Sequence, residues 1–251
     1  MTDAPSPDRD DLDRTPLDSL GVLAAQEVEV TDDLDHVELF TMTGLVTLLW
    51  HGPRQAADVV LMCGGAMGGL LGPADGLYHD LGTRFSPLDV GTIRVGYRRP
   101  NDLEACVIDV AAAAELAGRV GARRFVVVGH SFGGAVALNA GVALGRHAVG
   151  VVTLSTQSAG CEHAELLGDT PLLLVHGMDD EILPPAASEV VRMMAGSGEL
   201  VLLPGTGHLL REAGPDLRSR LAAWIPDRFA EARHARGEGS DSPGDHVGDG
   251  R

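Results

Sequence analysis

The sequence predicts a doubly wound α/β fold whose mostly parallel sheet opens on an antiparallel hairpin. Six short runs are continuously apolar, as is typical of parallel strands buried on both faces: residues 59–63, 92–97, 125–129, 149–155, 172–177 and 199–203. Segments of helical composition lie between several of these runs. The chain of 251 residues is long enough for one large domain, and its 44% apolar and 22% charged residues are ordinary for a globular protein.

The N-terminal part is expected to begin as a disordered arm. Residues 1–20 hold six Asp, two Arg and three Pro among few large apolar side chains, so they have little surface to bury. Residues 36–41 and 45–50 are β-prone and are separated by the sequence MTG, which is typical of a hairpin turn. We therefore expect an antiparallel pair near the start of a folded domain that spans residues 21–230.

Four segments have helical composition: residues 103–118, 133–144, 185–195 and 215–225. The last part of the chain, residues 231–251, is rich in Gly, Ser and Asp and is expected to be a disordered tail. The fifteen residues 156–170 between two predicted strands are too few for a lid domain. The predicted fold therefore has no cap domain, and its site should be open to solvent.

The charge of the chain excludes several classes of partner. There are 36 acidic residues against 19 basic ones, all arginine, and the formal net charge is −17. Such a chain offers no electrostatic surface for nucleic acid or for anionic lipid. No apolar run approaches the ~18 residues of a membrane helix. We expect a small-molecule substrate, no nucleic acid and no membrane, and the oligomeric state is left open.

The cysteines and the N-terminus both favour the cytoplasm. Cys63, Cys106 and Cys161 are odd in number and fall in no metal-ligand spacing, so we expect reduced core thiols and no metal site. The first five residues, MTDAP, are acidic where a secretory signal would be basic. A cytoplasmic location is the expectation that follows.

The sequence GHSFGG at residues 129–134 predicts a catalytic serine. It follows the apolar run 125–128 and precedes an alanine-rich segment, which is the strand-turn-helix context of a nucleophile elbow. Glycines two before and two after Ser131 allow a very sharp turn, and the backbone N–H of Phe132 is free to face a developing oxyanion. The alternative is a dinucleotide-binding turn, but the G-x-G-x-x-G pattern is absent.

A serine nucleophile needs a base and an acid that orients it, and in elbow enzymes these follow in the order serine, acid, histidine. Three carboxylates, Asp179, Asp180 and Glu181, follow the predicted strand 172–177, and the acid is expected among them. Of the histidines beyond them, His208 is the one that precedes the predicted tail. We therefore expect His208 to be the base.

A second oxyanion donor is expected from the glycine-rich loop after the predicted strand 59–63. This loop, GGAMGG at residues 64–69, is flexible enough to bring backbone N–H groups toward Ser131. Ala66 is the first choice because its N–H follows the glycine pair nearest the strand end. Met67 is the alternative, and a tight turn without a catalytic role is a third interpretation.

Over residues 36–225 the chain resembles the α/β-hydrolase superfamily, in its dienelactone-hydrolase-like or serine esterase group. The elbow matches closely, and HGMDDEILP at residues 176–184 resembles the family pattern H-G-x-x-D-x-x-x-P. This resemblance implies an α/β-hydrolase fold with Asp180 as the acid, Ser131 as the nucleophile, His208 as the base and no cofactor. Where many relatives have His-Gly before the oxyanion residue, this chain has two glycines. A dienelactone hydrolase proper has a cysteine nucleophile, so that substrate is not implied.

The sequence therefore predicts a serine hydrolase that cleaves an ester or thioester through an acyl-enzyme. An acyltransferase or amidase with the same triad is the alternative enzyme, and a catalytically silent binding protein on this fold is the alternative outside enzymes. Arg98 and Arg99 follow the predicted strand 92–97, where they would bind an anionic substrate group or pair with surface carboxylates.

Overall fold

Nine strands form one sheet in residues 14–238, the part of the chain that the structure, a computed structural model, describes. They are β1 (Val22–Thr31), β2 (Leu34–Thr41), β3 (Gly44–His51), β4 (Asp58–Cys63), β5 (Val90–Gly96), β6 (Arg124–His130), β7 (Ala148–Leu154), β8 (Leu172–Gly177) and β9 (Glu199–Leu203). Their order across the sheet is β1-β2-β3-β5-β4-β6-β7-β8-β9. The pairs β1–β2, β2–β3 and β3–β5 are antiparallel. All the other pairs in the sheet are parallel.

Helices cover both faces of this sheet. They are α1 (Pro16–Leu20), α2 (Pro73–Phe85), α3 (Leu103–Val120), α4 (Phe132–Leu144), α5 (Ala186–Ala195) and α6 (Gly214–Ala235). Apolar side chains of α1, α3, α4 and α5 pack into the core on one face, and those of α2 and α6 pack into the core on the other. The predicted doubly wound fold with an N-terminal antiparallel hairpin is confirmed. No helix among the described residues is long and apolar enough to cross a bilayer.

Because strands β4 to β9 are parallel, their C-terminal ends lie at the same edge of the sheet. Strands β4, β6 and β8 are buried along their whole length, which explains the continuous apolar run in the middle of each. The connection from β7 to β8 contains only a short 3₁₀ turn, Ala164–Leu167. The described part of the chain therefore has no cap domain, as predicted.

Strand β1 was not predicted. It lies at the edge of the sheet, and all ten of its residues are exposed. An edge strand with solvent beside it needs no continuous apolar run, so the pattern that identifies the inner strands is absent here. The predicted hairpin itself is confirmed, with Thr41 of β2 paired to Gly44 of β3.

The expected disordered arm is wrong for residues 16–20. Helix α1 begins after Thr15, whose side chain and that of Asp18 form a reciprocal capping box. Leu17 and Leu20 are buried in the core, and the N–H of Leu17 donates to Glu115 Oε2 at 2.9 Å. Two leucines and a cap are enough to order this short segment against α3. The expected arm at residues 1–13 lies outside the described residues.

The expected tail is wrong for residues 231–238, since α6 continues ten residues past the predicted end at residue 225. A network of ion pairs between side chains explains why these residues are ordered. Asp58 binds both Arg124 and Arg233, and Arg124 also binds Glu238. The side chains of Asp58 and Arg124 are buried, and buried charges are tolerated only when they are paired. The remainder of the expected tail, residues 239–251, lies outside the described residues.

Candidate active site

Ser131 lies on a strained turn between β6 and α4. Its backbone adopts φ 57° and ψ −123°, in the region that disfavours residues with a side chain. A Cβ at Gly129 would overlap the carbonyl of Gly133, and a Cβ at Gly133 would overlap the carbonyl of Gly64. Both glycines of the motif are therefore required by close backbone approach. The turn places Ser131, which is half-buried, directly after the C-terminal end of β6.

Asp180 and His208 are joined by a hydrogen bond. His208 Nδ1 donates to Asp180 Oδ2 at 2.8 Å. The other carboxylate oxygen, Oδ1, accepts the backbone N–H groups of Ile182 at 2.9 Å and Leu183 at 2.8 Å. Burial acts to raise the pKa of Asp180, but the hydrogen bonds from Leu183, His208 and Ile182 outweigh it, and the pKa is lowered. The carboxylate therefore stays ionised beside the imidazole.

Of the three carboxylates that the sequence offers as the acid, Asp180 is the one that contacts the His208 ring. The backbone N–H of Asp179 donates to Thr206, while this residue is itself exposed. Glu181 Oε2 lies 3.5 Å from the backbone N–H of His208 and so contacts the main chain of the loop. The sequence pattern therefore points to the same aspartate as the geometry.

Ser131 and His208 line one cavity of about 560 Å³. Among residues 14–238, the hydrogen bond to Asp180 is the only one that the His208 ring makes, so Nε2 is free to accept a proton. The Ser131 hydroxyl and Nε2 are not hydrogen-bonded to each other here. In ligand-free enzymes this bond is often long and tightens when substrate binds.

The glycine-rich loop after β4 forms the opposite wall of the cavity. The N–H of Gly68 donates to the carbonyl of Gly65 at 2.8 Å, which closes a tight turn with Ala66 and Met67 at its centre. Both central residues line the cavity, and neither backbone N–H has a partner in the described chain. Phe132 is the first residue of α4, where backbone N–H groups have no partner inside the helix. Ala66 and Met67 thus remain alternative donors beside Phe132.

Three buried side chains that the sequence did not single out hold the carbonyls around this loop. The hydroxyl of Tyr78 donates to Cys63 at 2.8 Å, and that of Tyr97 donates to Gly64 at 3.1 Å. Arg94 Nη1 donates to Leu70 at 3.3 Å. These bonds fasten a loop whose glycines would otherwise leave it free to move.

His130, the residue before Ser131, contacts the base directly. Its Nε2 donates to the backbone oxygen of His208 at 3.0 Å, and the two ring centroids are 4.9 Å apart. A carbonyl accepts only, so it fixes the proton on Nε2. Burial lowers the pKa of His130 to about 4, and the ring is neutral at physiological pH. Sequence analysis missed this residue because the G-x-S-x-G motif does not specify the residue before the serine.

His176 contacts the other side of the acid. Its Nε2 donates to the carbonyl of Leu183 at 3.0 Å and lies 3.1 Å from Asp180 Oδ2. Its Nδ1 is 2.7 Å from the hydroxyl of Ser188 on α5. Asp180 Oδ2 therefore lies close to two imidazoles and accepts a hydrogen bond from that of His208. The histidine of the family pattern was the signal that could have identified it.

The proposed substrate clamp at Arg98 and Arg99 is not formed. Arg98 is buried, with Nε 2.5 Å from Asp109 Oδ1, and its N–H donates to Asp109 Oδ2 at 2.9 Å. Arg99 is exposed, 3.7 Å from Asp102. Neither arginine lines the cavity around Ser131. Pairing with carboxylates, the alternative interpretation, is what the structure shows.

Residues 14–238 contain no group of side chains arranged to hold a metal ion.

Comparison of the sequence with protein families finds one relevant match. The model of the phospholipase/carboxylesterase family matches residues 105–212, which is less than half of the chain. This segment contains Ser131, Asp180 and His208 together. It excludes the glycine-rich loop that carries Ala66. No curated protein matches the sequence.

Solved structures share the fold at low sequence identity. Est1E from Butyrivibrio proteoclasticus is 15% identical with a TM-score of 0.65, over 78% of this chain and 99% of that one. Dienelactone hydrolase from Anabaena variabilis is 16% identical with a TM-score of 0.64, over 82% and 98%. An α/β serine hydrolase homologue from Coxiella burnetii is 16% identical with a TM-score of 0.61, over 78% and 98%. These structures show that the chain has the fold of such hydrolases, and the matched segment is similar to the phospholipase/carboxylesterase family.

Proposed function

We propose that this hydrolase cleaves an ester or thioester of a small substrate through an acyl-enzyme, with Ser131, Asp180 and His208 as its triad. The observation that carries the proposal is the 2.8 Å bond between His208 Nδ1 and Asp180, formed at the wall of the cavity that Ser131 also lines. An oriented imidazole with a free Nε2 is what a weak serine nucleophile requires.

The reaction proceeds in two halves. His208 Nε2 takes the proton of Ser131 as the hydroxyl oxygen attacks the substrate carbonyl carbon, and the negative charge moves to the carbonyl oxygen. Backbone N–H groups of Phe132 and of Ala66 or Met67 stabilise that oxyanion. His208 then gives the proton to the leaving alcohol or thiol, whose bond to the carbonyl carbon breaks. Water, deprotonated by His208, releases the acid and restores the serine.

A fluorophosphonate probe tests the proposal. We expect covalent labelling of the full chain at the peptide that contains Ser131, detected by mass spectrometry. Ser131→Ala should abolish labelling and lower kcat on a soluble ester by several orders of magnitude, because nucleophile and base act as a unit. Ser219→Ala, which removes an exposed serine of α6, should label like the wild type. Undiminished labelling of the Ser131→Ala protein would refute the triad.

We further propose that the enzyme works in the cytoplasm. Cys63, Cys106 and Cys161 are all buried with free thiols. Burial raises the pKa of each thiol to about 12, which keeps it protonated and inert. Core thiols of this kind are consistent with a reducing compartment.

A further inference from the structure

Four large apolar side chains stand exposed around the mouth of the catalytic cavity. The exposed fractions are 94% for Met67, 63% for Leu71, 64% for Ile182 and 41% for Leu209, and all four residues line the cavity. We call these four residues the apolar rim. Exposed apolar side chains that gather at one place usually mark a binding surface, whereas scattered ones do not.

The chemistry of the cavity wall excludes a charged ligand. Besides the apolar rim, the cavity is lined by glycines, by Ala66 and Leu70, and by Ser131, His130 and His208. No Asp, Glu or Arg is among these lining residues. Arg98, the nearest candidate for an anion partner from the sequence, is buried against Asp109. A charged substrate group would therefore lose its hydration without gaining an ionic partner.

Charges beside the apolar rim disfavour an anionic lipid surface as its partner. Asp179 and Glu181 lie just before Ile182 in the chain, and Glu212 lies shortly after Leu209. The formal charge of the whole chain is −17. An anionic membrane or a phosphate-bearing carrier would be repelled from such a surface.

We propose that the apolar rim binds the uncharged aliphatic acyl chain of a small soluble ester or thioester, and that a chain of medium length is preferred. This inference rests on the proposed function, since it places the acyl carbonyl at Ser131. The first carbons of the chain lie in the cavity, and the next ones lie across Leu71 and Ile182. Carbons beyond the apolar rim return to water and gain nothing.

Chain-length dependence follows from this arrangement. Each methylene that leaves water for an apolar contact should raise kcat/KM by roughly two- to fourfold, since the side chains of the rim cover only part of the acyl chain. The rise should run from the acetate to about the hexanoate ester and then level off. It should appear in KM, because the carbons that touch the rim are remote from the reacting bond.

The test compares nitrophenyl esters of acetate, butanoate, hexanoate and dodecanoate on four full-length proteins: the wild type, Leu71→Gln, Ile182→Gln and the control Leu88→Gln. Leu88 is 56% exposed and does not line the cavity. We expect the ratio of kcat/KM between hexanoate and acetate to fall roughly three- to tenfold in each rim variant and to keep its wild-type value in the control. A succinate monoester, whose acyl chain ends in a carboxylate, should be a poorer substrate than the butanoate ester.

The outcomes separate this inference from the proposed function. Ester hydrolysis that is fastest on acetate, with an unchanged ratio in both rim variants, would overturn the inference and leave the serine hydrolase intact. Absence of hydrolysis on every ester, together with absence of probe labelling at Ser131, would overturn the proposed function as well. Sedimentation with anionic phosphatidylglycerol vesicles should show no binding. Binding that Leu71→Gln abolishes would mean that the rim docks on lipid and would overturn the inference.

Discussion

His130 Nε2 lies 3.0 Å from the backbone oxygen of His208, so the residue that precedes the nucleophile holds the main chain of the base. The two residues are separated by 78 positions in the sequence and come from the ends of different strands. The bond therefore couples the elbow after β6 to the loop after β9. Any shift of one loop relative to the other changes the distance between Ser131 and the imidazole.

Replacement of His130 should reduce turnover even though its ring does not touch Asp180. His130→Phe keeps a planar ring but removes the N–H donor, which leaves the carbonyl of His208 without that bond. We expect kcat on a soluble ester to fall about tenfold with little change in KM, because a small displacement of a catalytic group is costly. His130→Gln, which retains an N–H donor, should lose less. Equal kcat in His130→Phe and the wild type would contradict this positioning role.

Substitutions at two neighbouring aspartates test which of them is the acid of the triad. Asp180→Asn replaces a carboxylate that accepts from His208 with an amide, which favours the wrong tautomer of the imidazole. By analogy with triad acids, kcat should fall on the order of 10⁴-fold. Asp179→Asn changes an exposed side chain and should leave kcat within about twofold of the wild type. A larger loss in Asp179→Asn would show that the acid is assigned one residue too late.

His176 should affect the pH dependence of activity. Its Nε2 lies 3.1 Å from Asp180 Oδ2, the oxygen that accepts from His208. His176→Leu removes a polar N–H group from beside the carboxylate, so the carboxylate becomes more basic and favours the protonated imidazole of His208. The acid limb of the profile of kcat/KM against pH should therefore move to higher pH. His176→Gln, which keeps a donor, is the control. Identical profiles for the leucine variant and the wild type would exclude the effect.

Two buried histidines should make the protein sensitive to acid. The pKa of both His51 and His130 is lowered to about 4, by burial in each case and also by the charge of Arg94 beside His51. The unfolded chain binds these protons below its ordinary pKa of about 6.5, while the folded protein does not. Stability should therefore fall as pH drops from about 6.5 toward 4.

Urea unfolding at about pH 7 and about pH 5 measures this loss, which should be roughly 2 kcal/mol for each histidine. His51→Gln removes one titrating ring and retains an acceptor for Arg94. The variant should therefore lose less stability than the wild type on acidification. An equal loss in both proteins would mean that His51 is protonated in the folded state.

The C-terminal end of α6 should contribute measurably to stability. Arg233→Ala leaves the buried carboxylate of Asp58 with Arg124 as its remaining partner. We expect the free energy of unfolding to fall by about 1–3 kcal/mol, the cost of losing one bond to a charged group. Arg236→Ala, whose guanidinium donates to the carbonyl of the exposed residue Arg146, should change it by less than about 0.5 kcal/mol. No difference between the two variants would argue against this role.

The parallel part of the fold and the central members of the site are predictable from the sequence because their signals are local. Strands such as β4 and β8 carry long apolar runs, since helices cover both of their faces. The elbow around Ser131 needs glycines at fixed positions, and the order of acid and base along the chain follows from the order of the strands.

The features of the fold and of the site that the sequence does not predict depend on contacts between residues distant in the chain. Edge strand β1 has no apolar run, and α1 is ordered by two leucines that pack on the core, by its cap and by a hydrogen bond to Glu115. The contact from His130 to His208 joins two loops that follow different strands, and the conformation of these loops cannot be predicted from the sequence. Arg98 shows the converse error, because a pair of arginines at a strand end gives no sign that Asp109 on α3 already holds one of them.

Oxidation would act on this enzyme first at its catalytic face. Met67 is the most exposed methionine in the described chain, while all three cysteines are buried. Peroxide therefore reaches the thioether of Met67 ahead of any thiol, and the product is a polar sulfoxide on the glycine-rich turn. Such damage would alter the entrance to the cavity and leave the core intact. Reduction of the sulfoxide would then restore the enzyme without any refolding.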